Sequence, residues 1–335
     1  MVIIMNVIDI IFFLLQQSMI FMIPLMVVAL GGMFSERAGI VNIALEGKMV
    51  MGAFAGVFFI NTFKAPDPEL YGETALFFMD QGILLLALLI AMVTGMIMAL
   101  IHAFASINLK ANQIISGTAI NMFAPAFSVF FAIFIFQTQH IPFLNRFRLT
   151  SIPGLGDIPV IGPLLFQNTF ITTYLGFIIC AIAAFVLYKT KFGLRLRACG
   201  EHPQAADSVG VNVIAIRYAG VLISGALAGM GGLIWIVPIS NSFGGSVLGY
   251  GFLALAVLIF GAWKPKRILF AAFFFGILQT IANSFTGIPF LRDLGIPANF
   301  YAMLPYIATL VFLAFTSKNT QAPKAVGQPY DKGSR

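Results

Sequence analysis

Charge is scarce in this sequence. Only 9% of its 335 residues are Asp, Glu, Lys or Arg, whereas 60% are hydrophobic, and an average soluble domain has about 25% charged residues. This scarcity excludes an ordinary water-soluble protein and predicts a chain that lies mostly in lipid. The net charge of +7 raises the alternative of nucleic-acid binding, but the distribution of basic residues favours membrane topology instead. No nucleic-acid partner is therefore expected.

Cysteine is rare, and the common catalytic motifs are absent. Cys180 lies in an apolar run and Cys199 in a basic stretch, so we expect no disulfide between them. The sequence has no GxxxxGK[ST], CxxC or HExxH motif, and its three histidines, His102, His140 and His202, are scattered. We therefore predict no catalytic residues, no metal site and no bound cofactor. In particular, the chain should not hydrolyse ATP by itself.

What the sequence has is a series of apolar runs long enough to cross a bilayer. They predict an all-α polytopic membrane protein, a bundle of about nine (eight to ten) transmembrane helices within residues 1–316, followed by a polar, disordered cytoplasmic tail at 317–335. The second run carries Asn42, Glu46 and Lys48, so it either spans the membrane or re-enters it. The nine runs are Val7–Leu30, Gly39–Ile60, Gly82–Ala105, Ile114–Phe136, Thr169–Tyr188, Val213–Ile236, Ser246–Ala262, Ile268–Phe285 and Phe300–Thr316.

Lysine and arginine are distributed unevenly among the connections between these runs. If the stretch 189–212 is cytoplasmic and the runs alternate, thirteen basic residues fall inside and four outside. By the positive-inside rule, this bias predicts an N-terminus outside and a C-terminus inside. The inside group is Arg37, Lys110, Lys189, Lys191, Arg195, Arg197, Lys264, Lys266, Arg267, Lys318, Lys324, Lys332 and Arg335, and the outside group is Lys64, Arg146, Arg148 and Arg292.

Pairs of glycines four residues apart mark candidate helix-packing faces. Gly52 and Gly56 form one such pair, Gly245 and Gly249 another, and the block 225–232 is the densest. Small residues at this spacing let helix backbones approach closely in lipid. The dense block is the one that we expect to pack against other helices.

Two groups of polar residues lie within the apolar runs. Asn42 and Glu46 are four residues apart and share a helix face. Intramembrane charge usually faces a cavity or a partner, so these two are candidates for a substrate pathway. Glu46 is equally well explained by pairing with Lys48 or with a helix end. Nearby Glu36 and Arg37 are expected to have a structural role at the cytoplasmic interface.

The second polar group lies at the start of the fourth run. Its members at i, i+4 and i+8 form one stripe, in which two amides flank a glycine and leave room for a flat group to approach. The group is predicted to line the substrate pathway, and the alternative is hydrogen bonding that only holds helices together. It consists of Asn112, Gln113, Ser116, Gly117 and Asn121.

A polar, basic stretch separates the fifth and sixth runs. Within the loop 189–212, Pro203 suits the first turn of a helix and Gly210 a left-handed cap, which predicts a helix of about two turns over Pro203–Val209. A short exposed helix between two membrane spans is suited to docking a cytosolic partner. The residues assigned to this contact are Gly193, Arg195, Arg197, Gly200, Glu201, Pro203, Ala205, Ala206 and Gly210.

Three ordered segments, GGMFSERAGIVNIALEG, LKANQIISGTAIN and FGLRLRACGEHPQAADSVGVN, resemble the permease subunits of bacterial ABC importers for nucleosides and simple sugars. Branched-chain amino-acid permeases are more distant relatives. The resemblance covers roughly residues 10 to 316, and the chain is most similar to the shorter permease of a nucleoside system. A simple sugar and another purine-like or flavin-like ligand are alternative substrates.

The resemblance implies several partners and a location in the bacterial cytoplasmic membrane. The partners are a second, non-identical permease, a cytoplasmic ATPase that binds ATP and magnesium, and an extracytoplasmic substrate-binding lipoprotein, in addition to membrane lipid. It also implies that the loop 189–212 holds the coupling helix that contacts the ATPase. A self-sufficient secondary transporter or channel is the alternative from a different class, and a membrane enzyme is disfavoured by the missing catalytic motifs.

Overall fold

The computed structural model describes residues 7–63, 72–152, 154–316 and 322–333. Each of the nine predicted apolar runs corresponds to an α-helix. The described part also has three further α-helices, four short strands, two π-helical turns (Phe104–Asn108 and Gly162–Phe166) and one 3-10 turn (Phe285–Gly287). The helices are α1 (Val7–Arg37), α2 (Leu45–Thr62), α3 (Glu73–Ala103), α4 (Gln113–Phe136), α5 (Ile171–Lys189), α6 (Lys191–Glu201), α7 (Pro203–Ser208), α8 (Val213–Ile239), α9 (Tyr250–Phe260), α10 (Pro265–Ser284), α11 (Pro289–Asp293) and α12 (Ala298–Thr316), and the strands are β1 (Ile141–Pro142), β2 (Arg148–Ser151), β3 (Gln167–Phe170) and β4 (Ser242–Phe243).

Six of these helices are long and apolar enough to cross a membrane, namely α1, α3, α4, α5, α8 and α10. Helices α9 and α12 are apolar but have shorter qualifying stretches. Helix α2 has the length of a short span but carries Glu46 and Lys48 in its first turn. The all-α membrane fold is confirmed.

Two predicted runs contain shorter helices than expected. The run 39–60 is helical only from Leu45, and residues 38–44 form an irregular segment, hereafter the connector, between α1 and α2. The run 246–262 is helical only from Tyr250, and residues 240–249 before it are not helical. In that chain Gly245 and Gly249 have φ values of +78° and +79°, so they shape turns and do not form the packing pair that their spacing suggested.

The core is built around α8, which packs against α1, α2 and α3. Glycines at these contacts let the helix backbones come close together. This confirms the expectation that the block 225–232 packs against other helices. A Cβ added at Gly52 would overlap the backbone of Gly229, and one added at Gly95 would overlap the carbonyl of Gly225. These helices therefore meet backbone to backbone, and a larger residue has no room there.

The connections between helices gather at two ends of the bundle. At one end, β1 pairs with β4 and β2 with β3, and the Asn61 amide donates to the Pro142 carbonyl at 2.6 Å. Strands β1 and β2 both lie in the connection between α4 and α5, which carries Arg146 and Arg148 of the outside group. At the other end, hereafter the basic end, lie Arg37, the pair α6–α7 and residues 322–333.

The prediction of a disordered tail does not describe residues 322–333. This segment has no helix or strand, but it packs against the basic end, and Ala325 is buried there. The Ala325 N–H donates to the Gly200 carbonyl at 2.8 Å, and the Gly327 N–H donates to the Gly39 carbonyl at 3.2 Å. The segment is held because backbone groups at the end of α6 and in the connector are available to bond it, which its polar composition did not reveal.

Candidate functional site

The connector is held by side chains of α4. The Gln113 Oε1 accepts from the Val41 N–H at 2.8 Å. The Asn121 Oδ1 accepts from the Gly47 N–H at 2.8 Å, while its Nδ2 donates to the Ile43 carbonyl at 2.9 Å. The predicted stripe on α4 thus bonds the backbone of the connector and of the first turn of α2.

Gly117 lies between these two amides for a steric reason. A Cβ at this position would lie 3.2 Å from the Ala44 backbone nitrogen and 3.4 Å from the Ile43 Cβ. The flat group that approaches the glycine is therefore the connector itself. The stripe was predicted to line the substrate pathway. In the structure its two amides bond the backbone of the connector and of α2, which is the kind of contact that the alternative, hydrogen bonding that holds segments of the bundle together, describes.

A buried polar cluster lies on the α2 side of the connector. Lys48 is fully buried and its Nζ donates to the Asn42 Oδ1 at 2.6 Å. The Asn42 Nδ2 in turn donates to the Ser224 Oγ of α8 at 2.5 Å. Asn42 thereby links the buried side chain of Lys48 to helix α8.

His102 of α3 bonds the connector from a third side. Its Nε2 lies 3.0 Å from the Val41 carbonyl, and its Nδ1 lies 3.1 Å from the Ser116 Oγ. A carbonyl only accepts, so Nε2 must carry the proton and a neutral ring then accepts at Nδ1 from the Ser116 hydroxyl. Ser116, predicted as a pathway residue, therefore orients the ring of His102. No sequence pattern indicated this contact, because the groups that it joins are up to 61 residues apart.

Glu46 lies at the N-terminus of α9. Its Oε1 accepts from the Gly249 N–H at 2.9 Å and its Oε2 from the Gly251 N–H at 2.6 Å. The first N–H groups of a helix lack partners within the helix and carry partial positive charge, so a carboxylate is favourable there. Of the two structural alternatives for Glu46, the structure has the helix end, and Lys48 bonds Asn42 instead.

Asn112 is separate from this cluster. It is the N-cap of α4, and its Oδ1 accepts from the Ile114 N–H at 2.9 Å and the Ile115 N–H at 3.2 Å. The side chain is exposed at the basic end. Asn112 thus starts the helix that carries the amide stripe.

The predicted docking loop forms two helices where one was expected. Residues Lys191–Glu201 form α6, and Pro203 begins the shorter α7, which ends at Ser208 and is followed by Gly210 with a φ of +83°. The longer helix was missed because its two glycines suggested loops. Each glycine in fact marks a close contact. A Cβ at Gly193 would overlap the Val186 carbonyl and one at Gly200 the Arg37 carbonyl.

The two neighbouring alanines of α7 have different environments. Ala206 is buried against Cys199 and Val213 of the same chain, whereas Ala205 is exposed. The prediction that both alanines allow close approach by a partner is therefore wrong for Ala206. Helical periodicity places successive residues about 100° apart, so only one of them faces outward.

Charged residues of α6 are divided between the surface and the body of the protein. Arg195 is exposed, while the Arg197 guanidinium lies 5.4 Å from the centre of the Tyr188 ring. Glu201 lies 3.7 Å from Arg37 at the end of α1. Arg37 also donates to the Trp263 carbonyl, and Glu36 accepts from the Trp263 indole at 2.6 Å. Glu36 and Arg37 thus join α1 to the segment after α9.

The family model described as "Branched-chain amino acid transport system / permease component" matches residues 14–314. This chain belongs to that family. It is 42% identical to the guanosine ABC transporter permease protein NupQ of Bacillus subtilis, with 99% of this chain and 100% of that protein covered. It is 39% identical to the nucleoside ABC transporter permease protein NupC of Lactococcus lactis, covering 98% and 99% of the two chains.

A more distant relative is named for a different substrate. The chain is 28% identical to the putative glucose ABC transporter permease protein TsgC13 of Haloferax volcanii, over 92% of this chain and 94% of that protein. No solved structure matches the chain. The resemblance to permeases of ABC importers is thus confirmed.

Proposed function

We propose that this chain is the membrane-spanning permease subunit of an ATP-driven importer for nucleosides. The observation that carries the proposal is similarity over the whole chain to two permeases named for guanosine and for nucleosides, at 42% and 39% identity. The similarity to a glucose permease is lower, at 28%, which favours a nucleoside over a simple sugar.

The surface of α6 and α7 supports docking of a cytoplasmic ATPase. Leu194 and Val209 are 62% and 77% exposed there, and Ala205 is exposed next to the exposed Gln204. Binding of a partner over exposed apolar side chains removes them from water, which is favourable. In this proposal ATP and magnesium are bound by that partner.

The distribution of charge supports the orientation. The basic end carries most of the Lys and Arg residues outside the spans, so we assign it to the cytoplasm of a bacterial inner membrane. The opposite end, with its paired short strands, then faces the extracytoplasmic binding protein. A second, non-identical permease completes the membrane part of the complex.

The connector and α4 form the candidate wall of the pathway. Asn121 is half-buried, and Thr118 and Met122, on the adjacent side of the same helix, are exposed. Substrate would pass along this face, while the amides fix the shape of the connector behind it. In an alternating-access cycle, closure of the ATPase displaces α6 and α7, and the permeases rock around the pathway.

Uptake by the reconstituted complex tests the proposal. The chain is assembled in liposomes with its ATPase, second permease and binding protein, and ATP-dependent uptake of labelled guanosine, glucose and leucine is compared. We expect guanosine uptake that requires ATP and the binding protein. Uptake of glucose or leucine in place of guanosine would contradict the nucleoside assignment. Uptake by this chain alone, without ATPase, would contradict the subunit assignment in favour of a secondary transporter or channel.

A further inference from the structure

Residues 322–333, hereafter the strap, join two parts of the basic end that are far apart in the sequence. Ala325 bonds the Gly200 carbonyl near the end of α6, and Gly327 bonds the Gly39 carbonyl in the connector. Ala325 is only 3% exposed between them. Both are backbone hydrogen bonds, which depend on the path of the chain more than on the identity of its side chains. The strap therefore fixes the position of α6 relative to the connector.

The joint at Gly39 is sterically tight. Gly39 has a φ of +93°, a conformation that glycine adopts without steric cost. A Cβ there would lie 2.9 Å from the Arg217 Nη2 and 3.4 Å from the Ala325 carbonyl oxygen. The connector, α8 and the strap therefore meet at a single backbone position.

Arg217 of α8 anchors the strap. It is 1% exposed, and its Nη1 donates to the Gln328 carbonyl at 3.1 Å. Its guanidinium lies 5.8 Å from the centre of the Tyr330 ring. Among the described residues its Nε and Nη2 have no hydrogen-bond partner. A buried charge with few partners is costly, so the carbonyl and ring of the strap are a substantial part of what compensates Arg217.

The strap also contacts the connection between α3 and α4. Lys110 lies 3.0 Å from Asp331, and this hydrogen-bonded pair lowers the pKa of the Asp331 carboxyl. Both side chains are exposed, so the pair adds little to stability. The pair matters for position, because Lys110 lies three residues before Gln113, the first residue of α4, whose amides hold the connector.

We propose that the strap is a positioning element of the transport cycle, which transmits displacement of α6 and α7 to the connector. The inference rests on the proposed function, since it requires an ATPase that moves α6 and α7. The physical chain runs from Gly200 through Ala325 and Gly327 to Gly39. From there the connector continues to the bonds with Gln113 and Asn121 inside the bundle.

Removal of the strap tests the inference. The complete complex is reconstituted with this chain ending at residue 321, and guanosine uptake and ATP hydrolysis are measured together. We expect the complex to assemble and to hydrolyse ATP, but the amount of guanosine moved per ATP should fall at least about fivefold, the lower range of typical allosteric coupling. A synthetic peptide of residues 322–335 added from the cytoplasmic side should restore part of it.

A point variant separates positioning from folding. Ala325→Pro removes the N–H that bonds Gly200, and Lys324→Ala, on an exposed neighbour, is the matched control. We expect Ala325→Pro to lower guanosine moved per ATP with assembly intact, and the control to behave like the wild type. Unchanged uptake per ATP in the truncated chain or in Ala325→Pro would overturn the inference. Loss of assembly in both would also overturn it, by making the strap a folding element.

The two proposals fail in different ways. If the wild-type complex takes up no guanosine, the proposed function is wrong. If the wild-type complex transports and the strap variants transport equally well per ATP, the proposed function stands and the strap has no role in coupling.

Discussion

Helix α2 and the connector before it are held in two different ways on their two sides. Towards α8, helix α2 makes a close backbone contact, with Gly52 against Gly229, and the connector adds a side-chain hydrogen bond from Asn42 to Ser224. Towards α4 it is a set of hydrogen bonds from Gln113 and Asn121 to the connector and the first turn. A close-packed contact tolerates little displacement, whereas a hydrogen bond can exchange for another. We therefore call the contact of α2 with α8 the fixed glycine side, and the hydrogen bonds from α4 the adjustable amide side.

The largest expected effect is on the glycine side. Gly52→Leu places a side chain where the backbone of Gly229 already lies. Core overpacking costs about 1–3 kcal/mol when side chains can move, and backbone moves less easily, so we expect no folded protein. Detergent size-exclusion chromatography of expressed protein measures this. Gly82→Leu is the control because nothing lies within 4 Å of a Cβ at Gly82. A well-folded Gly52→Leu protein would refute the fixed glycine side.

On the amide side we expect lost transport without lost folding. Asn121→Leu leaves the Gly47 N–H and the Ile43 carbonyl without this partner, at a cost of about 1–3 kcal/mol for each group that stays buried and unsatisfied. Uptake should fall while the complex still assembles and binds ATP. Thr309→Val in α12 is the control, since the Thr309 hydroxyl donates to the Pro305 carbonyl of its own helix. Unchanged uptake, or a failure to assemble like that of Gly52→Leu, would remove the distinction between the two sides.

Two substitutions in α7 test whether the ATPase docks on the outward face of this helix. Ala205→Trp projects outward and should leave the melting temperature of the isolated chain unchanged, but weaken ATPase binding or its stimulation by liganded binding protein. Ala206→Trp should instead destabilise the chain itself by about 1–3 kcal/mol, because Ala206 is buried against Cys199 and Val213. The pair serves as its own control in thermal unfolding and ATPase pull-down. Wild-type ATPase binding and stimulation in Ala205→Trp would mean that α7 does not lie at the interface.

A smaller effect is expected where α2 meets α9. Glu46→Gln keeps the shape of the side chain but removes the charge from the N-terminus of α9, at a cost of about 0.3–1 kcal/mol, up to about 2 when partly buried. The melting temperature should fall by a few degrees. Glu201→Gln is the control, because its pair with Arg37 is long at 3.7 Å and partly exposed. An equal or larger shift in the control would contradict the assignment of Glu46 to the helix end.

The smallest effect concerns Cys199, which lies beneath α7. The thiol is buried, and burial raises its pKa. The thiolate is the reactive form, so Cys199 should label slowly with maleimide even after permeabilisation. Ala205→Cys should label fast, but only from the cytoplasmic side, and Gly72→Cys only from outside. Fast labelling of Cys199 in the intact complex would show that α7 lifts from the bundle.

The helices were predictable because apolar runs depend only on local composition, and all nine runs contain a helix. The connector was not, since residues 38–44 are as apolar as their neighbours. Its non-helical path goes with the φ of +93° at Gly39 and with bonds from Gln113, Asn121 and His102 to its backbone. The amide stripe on α4 was visible as a pattern, but its partner was not. The position of the strap was also hidden, because the Gly39 and Gly200 carbonyls that bind it have no signature in the sequence.

Hydrogen–deuterium exchange of the reconstituted complex, with and without a non-hydrolysed ATP analogue, tests the two-sided account most directly. Backbone amides exchange when their bonds open, and the Val41 and Gly47 amides are bonded to side chains of α4. We predict that nucleotide changes exchange in peptides covering residues 39–48 and leave residues 224–232 of α8 protected. Equal change in both regions, or change in residues 224–232 alone, would contradict the account.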